Sequence, residues 1–126
     1  MITNVGMAEA AQALIGAFTV IGIGDATTAE SASHTDLQAA TNKKRKTATA
    51  SRVTTAQLND TAQWEATFSA ADGLTGTWTV GEAGVFNNVT NGVMLLRKVL
   101  SPTKTVDWAA GDTITVTLKD QQKQGA

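Results

Sequence analysis

Residues 61–70, TAQWEATFSA, alternate without a break, with Ala62, Trp64, Ala66 and Phe68 on one side and Gln63, Glu65, Thr67 and Ser69 on the other. A period of two sends successive side chains to opposite faces of an extended chain, so the stretch predicts a strand with one buried and one solvated face. TGTWTV (75–80) repeats the pattern with Trp78 and Val80 inward, and DTITVTLKD (112–120) does so with Ile114, Val116 and Leu118 inward. GVMLLRKVLSP (92–102) is more continuously apolar and reads as a central strand. Asn87–Asn88 and Asn91–Gly92 supply the turn before it, and Pro102 the stop after it. KRKTATASRVTT (44–55) alternates less cleanly but is also strand-like, and AFTVIGIGD (17–25) reads as a short buried strand.

Only the N-terminal segment has helical spacing. Met7, Ala11, Leu14 and Ile15 recur through MAEAAQALIGA (7–17), with Asn4 placed to cap the start and Gly16 to end the helix. ATTAESASHTDLQAA (26–40) is a long connection of small residues with room for a helical turn near Asp36–Ala40. The expected fold is therefore mainly β: a small antiparallel β-sandwich or barrel of five or six strands with one short N-terminal helix at an end or edge. One domain is expected, with a helical segment at 1–17, the β-sandwich at 18–119 and a flexible polar tail at 120–126.

Composition narrows the function classes. The chain has 21 Thr, one Pro and no Cys among 126 residues, so disulfides and thiolate metal or redox sites are excluded, and β-branched Thr suits a solvent-facing strand. The formal charge is −1, which disfavours a general polyanion binder. The longest apolar stretch, AQALIGAFTVIGIG (11–24), is broken by three Gly and falls short of a membrane span, and the start lacks the pattern of a signal peptide. A soluble chain is expected.

Each candidate site has a plainer reading. IGIGDA (21–26) holds half of a dinucleotide fingerprint, but the third Gly, the long helix and the βαβ pattern are missing, so a strand ending in a turn fits better. Ser31, Ser33, His34 and Asp36 bring a nucleophile, a base and an acid close in sequence, whereas working triads converge from separate elements. Glu82 sits among apolar residues in VGEAGVF (80–86), where its charge needs partners. It reads as a structural carboxylate that accepts backbone N–H groups or pairs with Arg97 or Arg52. Trp64 and Trp78 read as core, and Trp108 as the tryptophan left exposed for a partner or a sugar. Lys43, Lys44, Arg45, Lys46 and Arg52 hold five of the ten basic residues. They read as a solvated or subunit-contact segment facing acidic neighbours rather than a nucleic-acid clamp, which needs more positive charge on one face.

Several of these stretches together resemble a family of small virion proteins of tailed bacteriophages. The carriers are the ITNVG start, the VIGIGDATTAESASHTDLQAATNKKRK segment (20–46) with its GxGD and TxLQ motifs, WEATFSA, GEAGVFN, GVMLLRKVL and the Thr-rich last strand. The family's Glu before A-G-V-F corresponds to Glu82 and its late Arg to Arg97. The resemblance implies a non-enzymatic, multi-copy β module on the virion surface, in head decoration, a fibre base or a tail appendage. It implies partners among copies of itself and other virion proteins, and synthesis in the bacterial host's cytoplasm, while the residues themselves point to no cofactor, no metal and no membrane. A host-surface glycan-binding module using Trp108 is the alternative, and a DNA contact through residues 43–52 the third.

Overall fold

The computed structural model describes residues 1–124. Seven strands follow one helix: α1 (Asn4–Ala17), β1 (Val20–Gly24), β2 (Lys43–Thr47), β3 (Thr49–Val53), β4 (Thr61–Phe68), β5 (Thr77–Phe86), β6 (Met94–Asp107) and β7 (Ile114–Gln121). They form two antiparallel sheets, β2-β1-β5-β6 and β3-β4-β7, so the fold is a sandwich rather than a barrel. The alternation in residues 61–70 holds: Ala62, Trp64, Ala66 and Phe68 are buried and Glu65 and Thr67 are exposed. Their inward side chains meet Ile21, Ile23, Val80, Ala83 and Val85 of the facing sheet, with Val116 and Leu118 alongside.

The strand count exceeds the expected five or six because the basic segment makes two short strands. Ala48 lies between β2 and β3, which belong to different sheets, and its N–H donates to Thr19 O at 2.8 Å. The chain therefore turns the corner of the sandwich there. GVMLLRKVLSP is an edge strand, not a central one, and Pro102 does not end it. Val80 pairs with Lys104 and Glu82 with Val99, so residues 100–103 bulge out opposite Gly81 alone. Proline is tolerated at such a place because no ladder N–H is needed from it.

Thr3, not Asn4, caps the helix, its Oγ1 accepting the Gly6 N–H at 3.0 Å. Gly16 lies inside the helix, which ends when Phe18 turns extended and donates its N–H to Leu14 O. The helix packs on β3 and β4 through Met7 and Ala11, and the Trp64 Nε1–H donates to Phe18 O at 2.7 Å. The hairpin at Asn87–Gly92 forms as expected, with Asn91 and Gly92 at positive φ. β7 runs through Asp120 and Gln121 into the stretch read as a tail, and Gln122 N–H donates to Asp60 O at 2.9 Å. Residues 125 and 126 of that tail lie outside the described residues.

Candidate functional site

Glu82, Arg97 and Arg45, three of the polar residues singled out in the sequence, lie beneath one long segment. In the register of β1 and β5, Val20, Gly22 and Gly24 lie opposite Phe86, Gly84 and Glu82 on the face turned away from the core. Residues 25–42 cross this face as a strap. Leu37 drops onto Val20 and Phe86, and a Cβ on Gly22 would come within 3.0 Å of it. A Cβ on Gly24 would collide with the Glu82 carboxylate. The glycines of IGIGD thus make room for chain packed on the sheet; this is where the motif's close approach is used.

Glu82 is fully buried and carries the strap. Its Oε1 accepts the Gln38 N–H and Arg97 Nε–H, both at 2.8 Å, and its Oε2 accepts the N–H groups of Ala39 at 2.8 Å and Ala26 at 3.4 Å. Arg97 Nη1 reaches on to Thr28 O at 2.8 Å. Both structural readings of Glu82 therefore hold at once, with Arg97 as the ion partner; Arg52 is elsewhere, donating to Ala8 O of the helix. The same bonds explain why no helical turn forms near Asp36–Ala40. The amides of Gln38 and Ala39 go to a buried carboxylate, a charge-assisted bond stronger than an amide–carbonyl one.

The basic segment is divided by its own pleat. Arg45 pairs with Gly22 on the strap side, while Lys46 pairs with Ile21 and Lys44 with Ile23 on the side of the core. Arg45 stacks 3.7 Å from the centre of the Phe86 ring and binds Asp36 at 3.1 Å and Asn91 O at 2.6 Å. Lys43 lies 3.6 Å from Asp36. Lys46 spans to the other sheet, meeting Asp72 at 3.0 Å and Thr67 O at 2.6 Å. Asp36 and Asp72, the acids these cations meet, belong to the same chain. Burial alone would raise the Asp36 carboxyl, but Arg45, the Leu37 N–H and Lys43 outweigh it and hold it below the ordinary range. Asp72 behaves alike, its burial outweighed by the Ser69 N–H and Lys46.

Trp108 is not exposed. Its ring is 1 % accessible and packs edge-on to Trp78 at 5.7 Å between centres, so it offers no stacking platform. Ser31, Ser33, His34 and Asp36 do not form a triad: the two serine hydroxyls bond each other at 2.8 Å, and Asp36 is held by Leu37 N–H and Arg45. Among the described residues no three His, Asp or Glu side chains gather closely enough to hold a metal ion, and no helix is long and apolar enough to cross a membrane.

One buried carboxylate was missed. Asp60 is inaccessible and accepts the N–H groups of Gln57, Thr55 and Ala56 and the Thr61 hydroxyl, which together hold its carboxyl far below the ordinary range. The signal available was Asn59–Asp60 between two strands, a pair favoured in turns because their side chains bond nearby backbone. No protein-family model matches the sequence, and no curated protein matches it.

Proposed function

We propose that this chain is a non-enzymatic structural component of a tailed-bacteriophage virion, carried in multiple copies on the particle surface in head decoration, a fibre base or a tail appendage. One observation carries the reading. Four of the segments through which the sequence resembles such proteins meet as one interlocked unit: the glycines of VIGIGD, the Gln38 amide of TDLQ, Glu82 of GEAGVF and Arg97 of LLRK. Their charges are spent on holding a strap to a sheet, which is architecture rather than chemistry on a reactant.

Assembly with copies of itself and with other virion proteins is supported by apolar side chains left in the open. Met1, Ile2 and Val5 stand at the start of the helix, and Val89 and Val93 at the β5–β6 hairpin. On the side of the sandwich away from the Ala48 corner, the edges of β6 and β7 leave a cleft of about 480 Å³ lined by Leu100, Pro102, Val106, Ile114 and Val116. The DNA reading loses support because the basic side chains point to opposite faces and three of them are engaged by acids. The glycan reading loses the exposed tryptophan on which it rested.

The test is gold-labelled antibody against the chain on purified virions, viewed by electron microscopy, together with mass spectrometry of the particles. Label on the head or tail is expected, and its position assigns the placement. Absence of the chain from purified particles would overturn the proposal.

A further inference from the structure

We propose that the trough between β6 and β7 takes up an extended, acidic strand of a different polypeptide, which pairs along the free edge of β7 and lays apolar side chains against β6. The sandwich is closed on one side, where the Ala48 corner joins β2 to β3, and open on the other, where β6 ends one sheet and β7 ends the other. Two adjoining clefts of about 480 and 790 Å³ lie along this open side and share Leu100, Ser101, Thr117 and Leu118, so they form one trough. Leu96, Leu100, Pro102, Val106 and Ile114 line it with apolar surface.

The two edges are not equivalent templates. β7 pairs with β4 in an unbroken register from Ile114 to Gln121. Its regular backbone leaves an equally regular free edge, of which residues 114–119 span about 20 Å at about 3.4 Å per residue. β6 is guarded: residues 100–103 bulge out of register, Pro102 has no N–H, and the Val99 N–H is already donated to Glu30 at 2.9 Å. An incoming strand therefore adds to β7, where main-chain hydrogen bonds supply affinity, and meets β6 as the apolar wall that selects its side chains.

Charge selects the partner. Lys98, Lys104 and Lys119 line the trough, all three exposed, and among the described residues no carboxylate lines it. Lys98 stands opposite Ala83 and Lys104 opposite Val80, both core residues, so each lysine rises from the inward side of β6 at the mouth of the trough. The acids nearest in sequence are engaged elsewhere: Asp107 accepts the Ala110 N–H, Asp112 the Asp107 N–H and Asp120 the Gln122 amide. Glu30 lies 4.0 Å from Lys98, but both side chains are open to water, which leaves the pair weak. Inward lysines on an edge repel a second copy of the same edge, which would bring lysine against lysine. The same charges attract a strand that carries carboxylates, and the long lysine stems reach out to follow them. Such a partner deepens the assembly reading given above and rests on assembly, not on the virion. The isolated chain tests it, so its failure and an absence of the chain from particles are separate outcomes.

The experiment titrates ¹⁵N-labelled full-length chain, followed by NMR, with a blocked seven-residue peptide of alternating glutamate and valine, and with its lysine-for-glutamate counterpart. Saturable shifts confined to the amides of β6 and β7 are expected with the glutamate peptide, weakening as salt is raised, and none with the lysine peptide. The triple variant Lys98→Glu, Lys104→Glu, Lys119→Glu should bind the glutamate peptide about tenfold more weakly and take up the lysine peptide instead. All three positions are exposed, and an unshifted Trp64 indole signal reports that the variant folds. No saturation by the glutamate peptide would overturn the proposal, as would equal binding of both peptides, which reduces the trough to apolar stickiness. An unchanged preference in the triple variant would overturn it as well. So would concentration-dependent pairing of the chain with itself through the same β6 and β7 amides, which would make the occupant a second copy.

Discussion

On the outer face of the three-stranded sheet, Gln63, Glu65 and Thr67 stand beside Lys119, Thr117 and Thr115, most of them open to solvent. On the outer face of the four-stranded sheet, Val20, Gly22 and Gly24 stand beside Phe86, Gly84 and Glu82 beneath the strap. Both faces arise from the same two-residue alternation. The first is finished by side chains that water can satisfy, the second by other parts of the chain. A covered face needs space and bonding partners. Glycines give the first, and a buried carboxylate and its arginine give the second. The contrast predicts that equal-sized changes on the two faces have very unequal consequences.

The largest effect is expected at Glu82. Replacing it with Ala leaves Arg97 buried without its counter-ion and strips the amides of Gln38 and Ala39 of their acceptor. Removing one partner of a buried pair costs about 3–5 kcal/mol, to be read from urea unfolding. In the milder Glu82→Gln variant, hydrogen exchange at those two amides should accelerate well before exchange in β4 does. Uniform acceleration along the chain would show that the strap and the sandwich are one unit and would break the comparison.

An intermediate effect is expected from acid. Asp60, Asp36 and Asp72 all have folded carboxyls held below the ordinary value of 3.8, so each contributes stability that is present above that value and lost as pH falls towards its folded one. Unfolding midpoints should therefore drop once the pH passes below about 4. Asp60→Asn should lower stability at neutral pH and flatten the acid limb. Asp36→Asn should flatten it less, since the Asp36 side chain is 43 % exposed and its pairing with Lys43 and Arg45 is screened by water. Parallel profiles for wild type and Asp60→Asn would remove Asp60 from the account.

The smallest effect is expected on the bare face. Thr67→Val loses only the exposed hydroxyl pair with Thr115, 2.8 Å, and keeps β-branching, so stability should change by no more than about 0.5 kcal/mol in the same urea assay. A larger loss would mean that this face is covered in solution, and by symmetry of argument would nominate it as an assembly surface.

Much of the sandwich was legible residue by residue. Ala62, Trp64, Ala66 and Phe68 point inward as their spacing requires, and so do Trp78, Val80, Val116 and Leu118. Glu82 was legible too, because a charge flanked by Gly and apolar residues must find partners. What went astray depended on neighbours that no local pattern encodes. Trp108 sits beside Asp107 and Gly111 in a polar turn, yet Trp78 from another strand closes over it. The run 92–102 looked central because it is apolar, but it pairs with β5 alone and leaves its other side to the β6–β7 cleft.

By itself the sequence determined which segments alternate, where the helix begins to within a residue, and which charge could not stand alone in the core. These are consequences of local periodicity and of the cost of burying polar groups. Only the tertiary structure decided that KKRK is split between two faces and that the strap lies on Gly22 and Gly24. The reason is physical. Pleat and propensity act over a few residues, whereas the partner that neutralises a charge or covers a face is chosen by sheet order and register, which bring together residues as distant as Gln38 and Glu82.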